Sequence, residues 1–198
     1  MIANRTFAAI DFESAGAARG KTDVPVQIGM ATWSCSDGHS TPYVSYIHTE
    51  QKVSWAAQKV HGISNEDLQH APPFMTLWPE VKNRLANNLV VAHGHGTEKR
   101  YLRAFPAHGF GPWVDTLQLY RAAYPQLESH ALGDLCQQFQ LTQLVETIVP
   151  DKTWHDAQFD AVASFVLLEY FVNEFDLSQQ DETILINPDT RAWHQLRR

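Results

Sequence analysis

The chain is poor in cysteine. It has two, Cys35 and Cys136, far apart and outside any CxxC spacing. That excludes a disulfide framework and a zinc-thiolate site, and leaves two reduced, buried thiols as the expectation. No apolar run is long enough to span a bilayer. The first residues, "MIANRTFAAIDFE", lack the apolar core of a secretion signal. The expectation is a cytoplasmic protein with no membrane partner. Positive charge is also scarce: 15 Lys and Arg stand against 22 Asp and Glu, a formal charge of −7. That argues against coating duplex DNA by neutralising its phosphates, yet allows a small acidic pocket charged by bound cations. There is no internal repeat and no low-complexity tract. What is present is a composition 44% hydrophobic and 11% aromatic, enough for one sizeable core and unlike a disordered chain.

Alternation and turn chemistry place three strands over 5–12, 25–34 and 42–48, with Asp37-Gly38 as a turn signal before the third. Short helical pieces follow over 54–64 and 65–71. Pro72-Pro73 then interrupts the chain ahead of a helix near 74–86. A strand over 88–93, a helix over 97–104, a short strand over 113–116 and helices over 116–123 and 130–139 come next. The last strong element spans 155–175, where Ala161, Phe165, Leu168 and Val172 mark a core stripe at helical spacing. This order reads as an α/β fold, a mixed sheet with helices on its faces. Beyond Asp176 the sequence turns polar, so residues 177–198 are expected as a loosely packed tail to a domain spanning 1–176.

Chemistry-bearing residues fall at element ends. Asp11 and Glu13 occupy alternate positions at the end of the first strand and share one face, at the edge of the core started by Phe7, Ala8, Ala9 and Ile10. Two close carboxylates repel unless a cation sits between them, and an oxygen-lined site of this kind suits Mg²⁺ or Mn²⁺. The alternative is a strand end that is simply solvated. In "WHDAQFDAVAS", His155 stands at the start of the final helix and Asp160 follows five residues later. A His beside a metal-bound carboxylate suits a general base for water; a helix-start His also serves as a surface or capping residue.

In order, D-x-E on the first strand, an acidic residue after "VAH" and H-x4-D on the last helix resemble the DEDDh family of 3′–5′ exonucleases, which includes proofreading subunits, ribonuclease T and oligoribonuclease. The resemblance covers about residues 5 to 173, with softer landmarks in "VQIGMA", "VHGIS", "DTLQLYRAAYP" and "HALGDLC". It implies a ribonuclease H-like fold with a five-stranded mixed sheet flanked by helices. It also implies hydrolysis of nucleotides from single-stranded or frayed 3′ ends of DNA or RNA, assisted by two divalent cations, Mg²⁺ or Mn²⁺. By position, Asp11, Glu13 and Asp160 match the metal-binding carboxylates and His155 matches the general base. Phe12, Ser14, His61 and Ile63 match segments near the terminal nucleotide. Ser14 would lie near its ribose, and Ile63 either wedges against a base or packs on the core. A homodimer and a protein partner stay open.

One stretch departs from the family. Where A-H-N-x-x-F-D is usual, this chain reads "AHGHGTE", so Glu98 falls at the position of the remaining metal-binding Asp. Glutamate is one bond longer and Mg²⁺ tolerates little distortion, so Gly94 and Gly96 are expected to let the turn retreat and give Glu98 room as a ligand. A preference for Mn²⁺ over Mg²⁺ would follow. The alternative is a Glu that only complements a helix dipole, with Asp115 as the reserve ligand. His93, His95 and Glu98 also raise a separate zinc site. Two further readings remain: a catalytically weakened module that binds 3′ ends or a protein partner, and a phosphodiesterase for very short oligonucleotides.

Overall fold

The computed structural model describes residues 1–17, 20 and 22–196. Its sheet is built from β1 (Thr6–Ser14), β2 (Pro25–Ser34), β3 (Gly38–His39), β4 (Tyr43–Tyr46), β5 (Leu89–Ala92) and β6 (Trp113–Asp115). The order is β3-β2-β1-β5-β6, with β4 also on β2. β1 and β2 run antiparallel, while β5 is parallel to β1 and β6 to β5. The sheet is therefore mixed, as expected, and has six strands rather than five. The difference lies on the outer edge of β2. There β3 pairs with Trp33 and Ser34, and β4 pairs with Gln27 to Met30. Pro42, which has no N–H to donate, falls between the two pieces.

Helices α1 (Trp55–His61), α2 (Trp78–Leu85), α3 (Gly96–Leu102), α4 (Thr116–Ala123), α5 (Leu132–Gln138), α6 (Thr142–Ile148), α7 (Ala157–Glu174), α8 (Thr183–Ile186) and α9 (Thr190–Leu196) complete the chain. Residues 65–70 form turns instead of the expected helix. Ser64 and Asp67 bond each other's side chains and backbone there, which competes with helical pairing. α6 was absent from the sequence reading. Its only buried residue is Val145, so its apolar periodicity is faint.

Alternation along β1 splits the core. Phe7 and Ala9 face α7 and the helices beyond it, while Ala8, Ile10 and Phe12 face α2 and α3. The expected stripe Ala161, Phe165, Leu168 and Val172 is buried, but α7 is buried nearly all round because it lies between the sheet and α4–α6. After Asp176, Leu177, Leu185 and Trp193 join the same cluster, and the Trp193 ring sits 4.7 Å from Phe171 and 5.2 Å from Phe175. Backbone bonds from Ile2 to Gln180 and from Ala3 to Ser178 fasten this segment to the start of the chain. Cys136 is buried as expected; Cys35 is exposed, because it stands in the turn that ends β2.

Candidate active site

The site forms where α7 begins against β1 and β2. Glu13 pairs with Gln27 across the ladder, and Asp11 pairs with Gly29. A Cβ on Gly29 would fall 2.0 Å from the Ala157 carbonyl oxygen and 2.3 Å from the Gln158 nitrogen. Only a residue without a side chain lets the first turn of α7 lie this close to the sheet. Gln27, 1% exposed, then holds it. Its amide donates to Asp156 Oδ2 at 3.0 Å, and its Oε1 accepts from the Ala157 N–H at 2.8 Å. Asp156 caps Gln158 and receives Lys152 at 2.9 Å. Sequence reasoning gave Gln27 and Gly29 no role, although a polar residue and a glycine inside an apolar strand were the available signals.

This docking brings ligand atoms of Glu13, His155 and Asp160 within 4.8 Å of one another. His155 is exposed and adopts φ 67°, and its N–H donates to Asp160 Oδ2 at 3.2 Å. Asp11, two residues before Glu13 on the same face of β1, is half-buried. Burial pushes its carboxyl well above the usual range, reinforced by Asp160, then Glu98 and Glu13. Burial likewise raises Glu13 to about 8, with Asp160 and Asp156 adding to it. Asp160 is raised to about 7 by burial, against the lowering effect of the His155 N–H.

Glu98 is outside the 4.8 Å trio but belongs to the same electrostatic neighbourhood. It is 6% exposed on the first turn of α3, and burial raises its carboxyl to about 7. That burial is not what a helix-surface Glu complementing a dipole requires. Gly94 adopts φ 89° and donates its N–H to Asp115 Oδ1 at 3.0 Å, so the turn before α3 uses a left-handed position. Gly96 has no such conformation and opens α3 in free space. Asp115 is occupied as the cap of α4.

The separate zinc site is not formed. His93 bonds Thr116 Oγ1 at 2.9 Å and the His130 carbonyl at 2.8 Å, so both ring nitrogens are taken. His95 instead accepts from Lys99. Of the expected substrate residues, Phe12 is buried against Phe74 and Tyr101 on the opposite face of the sheet. Ile63, 4% exposed, packs with Ala15, Val26, Val53 and Leu68. His61 Nδ1 accepts from the Ile63 N–H, so its Nε2 donates to the Ser14 carbonyl at 3.0 Å, tying α1 to the end of β1. His61 nonetheless senses His155, whose charge adds to burial in lowering its pKa.

Two atoms test whether the residues suit a cation. Glu98 Oε2 and Asp160 Oδ1 are buried and have no hydrogen-bond partner. Buried carboxylate oxygens without donors are costly unless a positive ion serves them. An oxygen-rich set with one imidazole fits a hard divalent cation.

The raised carboxyls have a measurable consequence. The folded chain retains protons that the unfolded chain releases between the ordinary range near 4 and about 8. Stability of the metal-free protein is therefore expected to fall as pH rises through that window. Thermal denaturation in EDTA from pH 5 to pH 8 reads this directly. A melting temperature that climbs over the same range would contradict the shifts.

The chain matches the family model described as Exonuclease, RNase T, over residues 8–168. It belongs to that exonuclease family. Among similar proteins, the PolC-type DNA polymerase III of Streptococcus pyogenes serotype M2 (strain MGAS10270) is 25% identical over 175 residues, covering 85% of this chain and 11% of the polymerase. The PolC-type polymerase of Thermotoga petrophila is 26% identical over 144 residues, 70% of this chain and 10% of that one. The chain thus spans about a tenth of the length of these relatives. Among solved structures, exonuclease X in complex with 5′-overhanging duplex DNA superposes with TM-score 0.68 at 20% identity, covering 85% of this chain and 92% of that one. The nuclease domain of a DEDDh-family 3′ exonuclease bound to rAMP gives 0.68 at 12% identity with the same coverage. The fold is ribonuclease H-like.

Proposed function

We propose that the protein is a divalent-metal-dependent 3′–5′ exonuclease acting on single-stranded or frayed 3′ ends. The observation that carries this reading is the meeting of Glu13, His155 and Asp160 within 4.8 Å near half-buried Asp11 and buried Glu98. Asp11, Glu13, Glu98 and Asp160 would hold two cations, Mg²⁺ or Mn²⁺. When bound, such ions activate water and stabilise charge on both oxygens of an in-line displacement. His155, exposed and beside Asp160, takes the proton from the attacking water. Its position just before α7, held by Gln27 and Asp156, directs the ring toward Glu13 and Asp160. Residues 1–176 would carry this chemistry, with Leu177, Leu185 and Trp193 packing at the far end of α7. The solved relatives holding duplex DNA with a 5′ overhang and rAMP support a nucleic-acid end as substrate.

The test is a 5′-labelled DNA or RNA oligomer incubated with Mg²⁺, Mn²⁺ or EDTA. A ladder shortening from the 3′ end and abolished by EDTA is expected, with Mn²⁺ more effective than Mg²⁺. Glu98→Ala is expected to lower the rate by roughly 10²-fold, the scale of a lost charge-stabilising group. Unchanged turnover in Glu98→Ala would return Glu98 to a structural role. The position of Glu98 outside the close trio favours a second reading, a module that binds 3′ ends without turnover. Binding with no ladder under any metal would select it.

A further inference from the structure

The acidic site has a neighbour of opposite charge. Glu98 lies in the first turn of α3, and Lys99, Arg100 and Arg103 then put three cations within five positions of a chain whose formal charge is −7. On one side of this helix Lys99, Arg103, His108, Phe110 and Trp113 line an open groove of about 290 Å³. Its aromatic wall is held in place: the Trp113 indole N–H donates to the Phe110 carbonyl at 2.8 Å. Lys99 Nζ stands 5.1 Å from the centre of the Trp113 ring and donates to His95 Nε2 at 3.0 Å. The His95 ring meets Trp113 edge-on at 5.6 Å, and its Nε2 is 4.0 Å from Asp115 Oδ2. Asp115 is in turn a charged neighbour of Glu98. A continuous row of side chains thus joins the groove to the carboxylates.

A strand whose 3′ end lies at the carboxylates has to leave past some part of this mostly acidic surface. A groove that pairs a flat indole with a lysine and an exposed arginine meets both needs of a nucleotide. The ring offers a stacking face that tolerates any base, and the cations offer charge to phosphate. We propose that this groove receives a nucleotide on the 5′ side of the scissile bond, with its phosphate at Lys99 and Arg103 and its base against Trp113. The inference rests on the exonuclease reading and adds to it a subsite that favours longer strands. The exposed Arg103 makes the phosphate contact and the partly buried Trp113 sets the position of the base.

Two readouts separate the subsite from the activity. In hydrolysis assays, Arg103→Glu and Trp113→Ala are expected to raise KM about tenfold for a dodecamer. The effect on a dinucleotide is expected to be much smaller, and Trp113→Phe should recover most of the loss. In Ca²⁺, anisotropy of a labelled dodecamer is expected to show the same weakening, and Arg103→Glu should lower the salt slope by about 1. If the wild type binds but does not hydrolyse, the exonuclease reading fails while the anisotropy still decides the subsite. Equal KM changes at both lengths, no binding by the wild type, or unchanged binding by Arg103→Glu overturns the inference. So does a length-dependent loss confined to Trp55→Ala, because Trp55, 76% exposed on α1 beneath Lys59, is the rival exit surface.

Discussion

Asp160→Asn is expected to lower kcat on a single-stranded oligonucleotide by roughly 10³-fold, the scale of losing a charged group that serves the transition state. The same change is expected to raise the melting temperature of the metal-free protein at pH 8. Both follow from one cause. Asp160 is half-buried near Glu13 and Asp11, with its Oδ1 inside, and its carboxyl is raised to about 7. At pH 8 it is ionised in the folded and the unfolded chain, so the full cost of holding that charge inside is present. Asparagine keeps an oxygen to accept from the His155 N–H, now 3.2 Å from Asp160, and removes the charge. The gain is on the order of 2 kcal/mol. Activity and stability should thus move in opposite directions. Retained turnover, or a lower melting temperature in EDTA, would remove Asp160 from the site. The fall of stability with pH should also flatten in this variant.

Gly29→Ala is the second large effect, and it acts without touching a chemical group. The new methyl carbon would lie 2.0 Å from the Ala157 oxygen and 2.1 Å from its carbonyl carbon. Both are backbone atoms at the start of α7, so no flexible side chain can give way. α7 has to move off the sheet, at a cost of about 3 kcal/mol, the upper end of ordinary overpacking. Because Gly29 faces Asp11 in the ladder while α7 carries Asp160, that shift separates the two halves of the site. A displacement near 1 Å is expected to reduce kcat by about 10²-fold. Urea denaturation and steady-state kinetics on the same sample measure both effects. Wild-type stability in Gly29→Ala would mean that α7 does not rest on β2 this closely.

How much was legible can be followed residue by residue. The alternation that put Asp11 and Glu13 on one face, and the spacing that made 155–175 a helix, are local patterns with periods of two and 3.6 residues. They survive in the structure with boundaries shifted by a residue or two. The expected sheet gains a two-residue strand, Gly38–His39, in the stretch expected as a turn before the third strand. The turn around Gly94 was correctly marked as unusual, but its cause, a left-handed residue tied to Asp115, involves a partner 21 positions away. Cys35 stood between the strand over 25–34 and the Asp37-Gly38 turn signal, a place that favoured the exposed turn it occupies over a buried thiol. Ile63 and Phe12 carried the same apolar chemistry whether they faced a substrate or a core, and packing put both inside.

By itself the sequence determined the chemical groups and the local frame that holds each: two carboxylates at a strand end, a His and an Asp astride a helix start, and an acidic residue opening a third element. The tertiary structure decided which of them share a space. Gln27 reaches Asp156 across 129 positions, and Gly29 lets α7 close on the sheet. Trp193 packs on Phe171 although the surrounding sequence is polar. The physical reason is the same in each case. Backbone periodicity is set by neighbours a few residues away, whereas burial, and the charge interactions it strengthens, depends on which faces meet after the chain has folded.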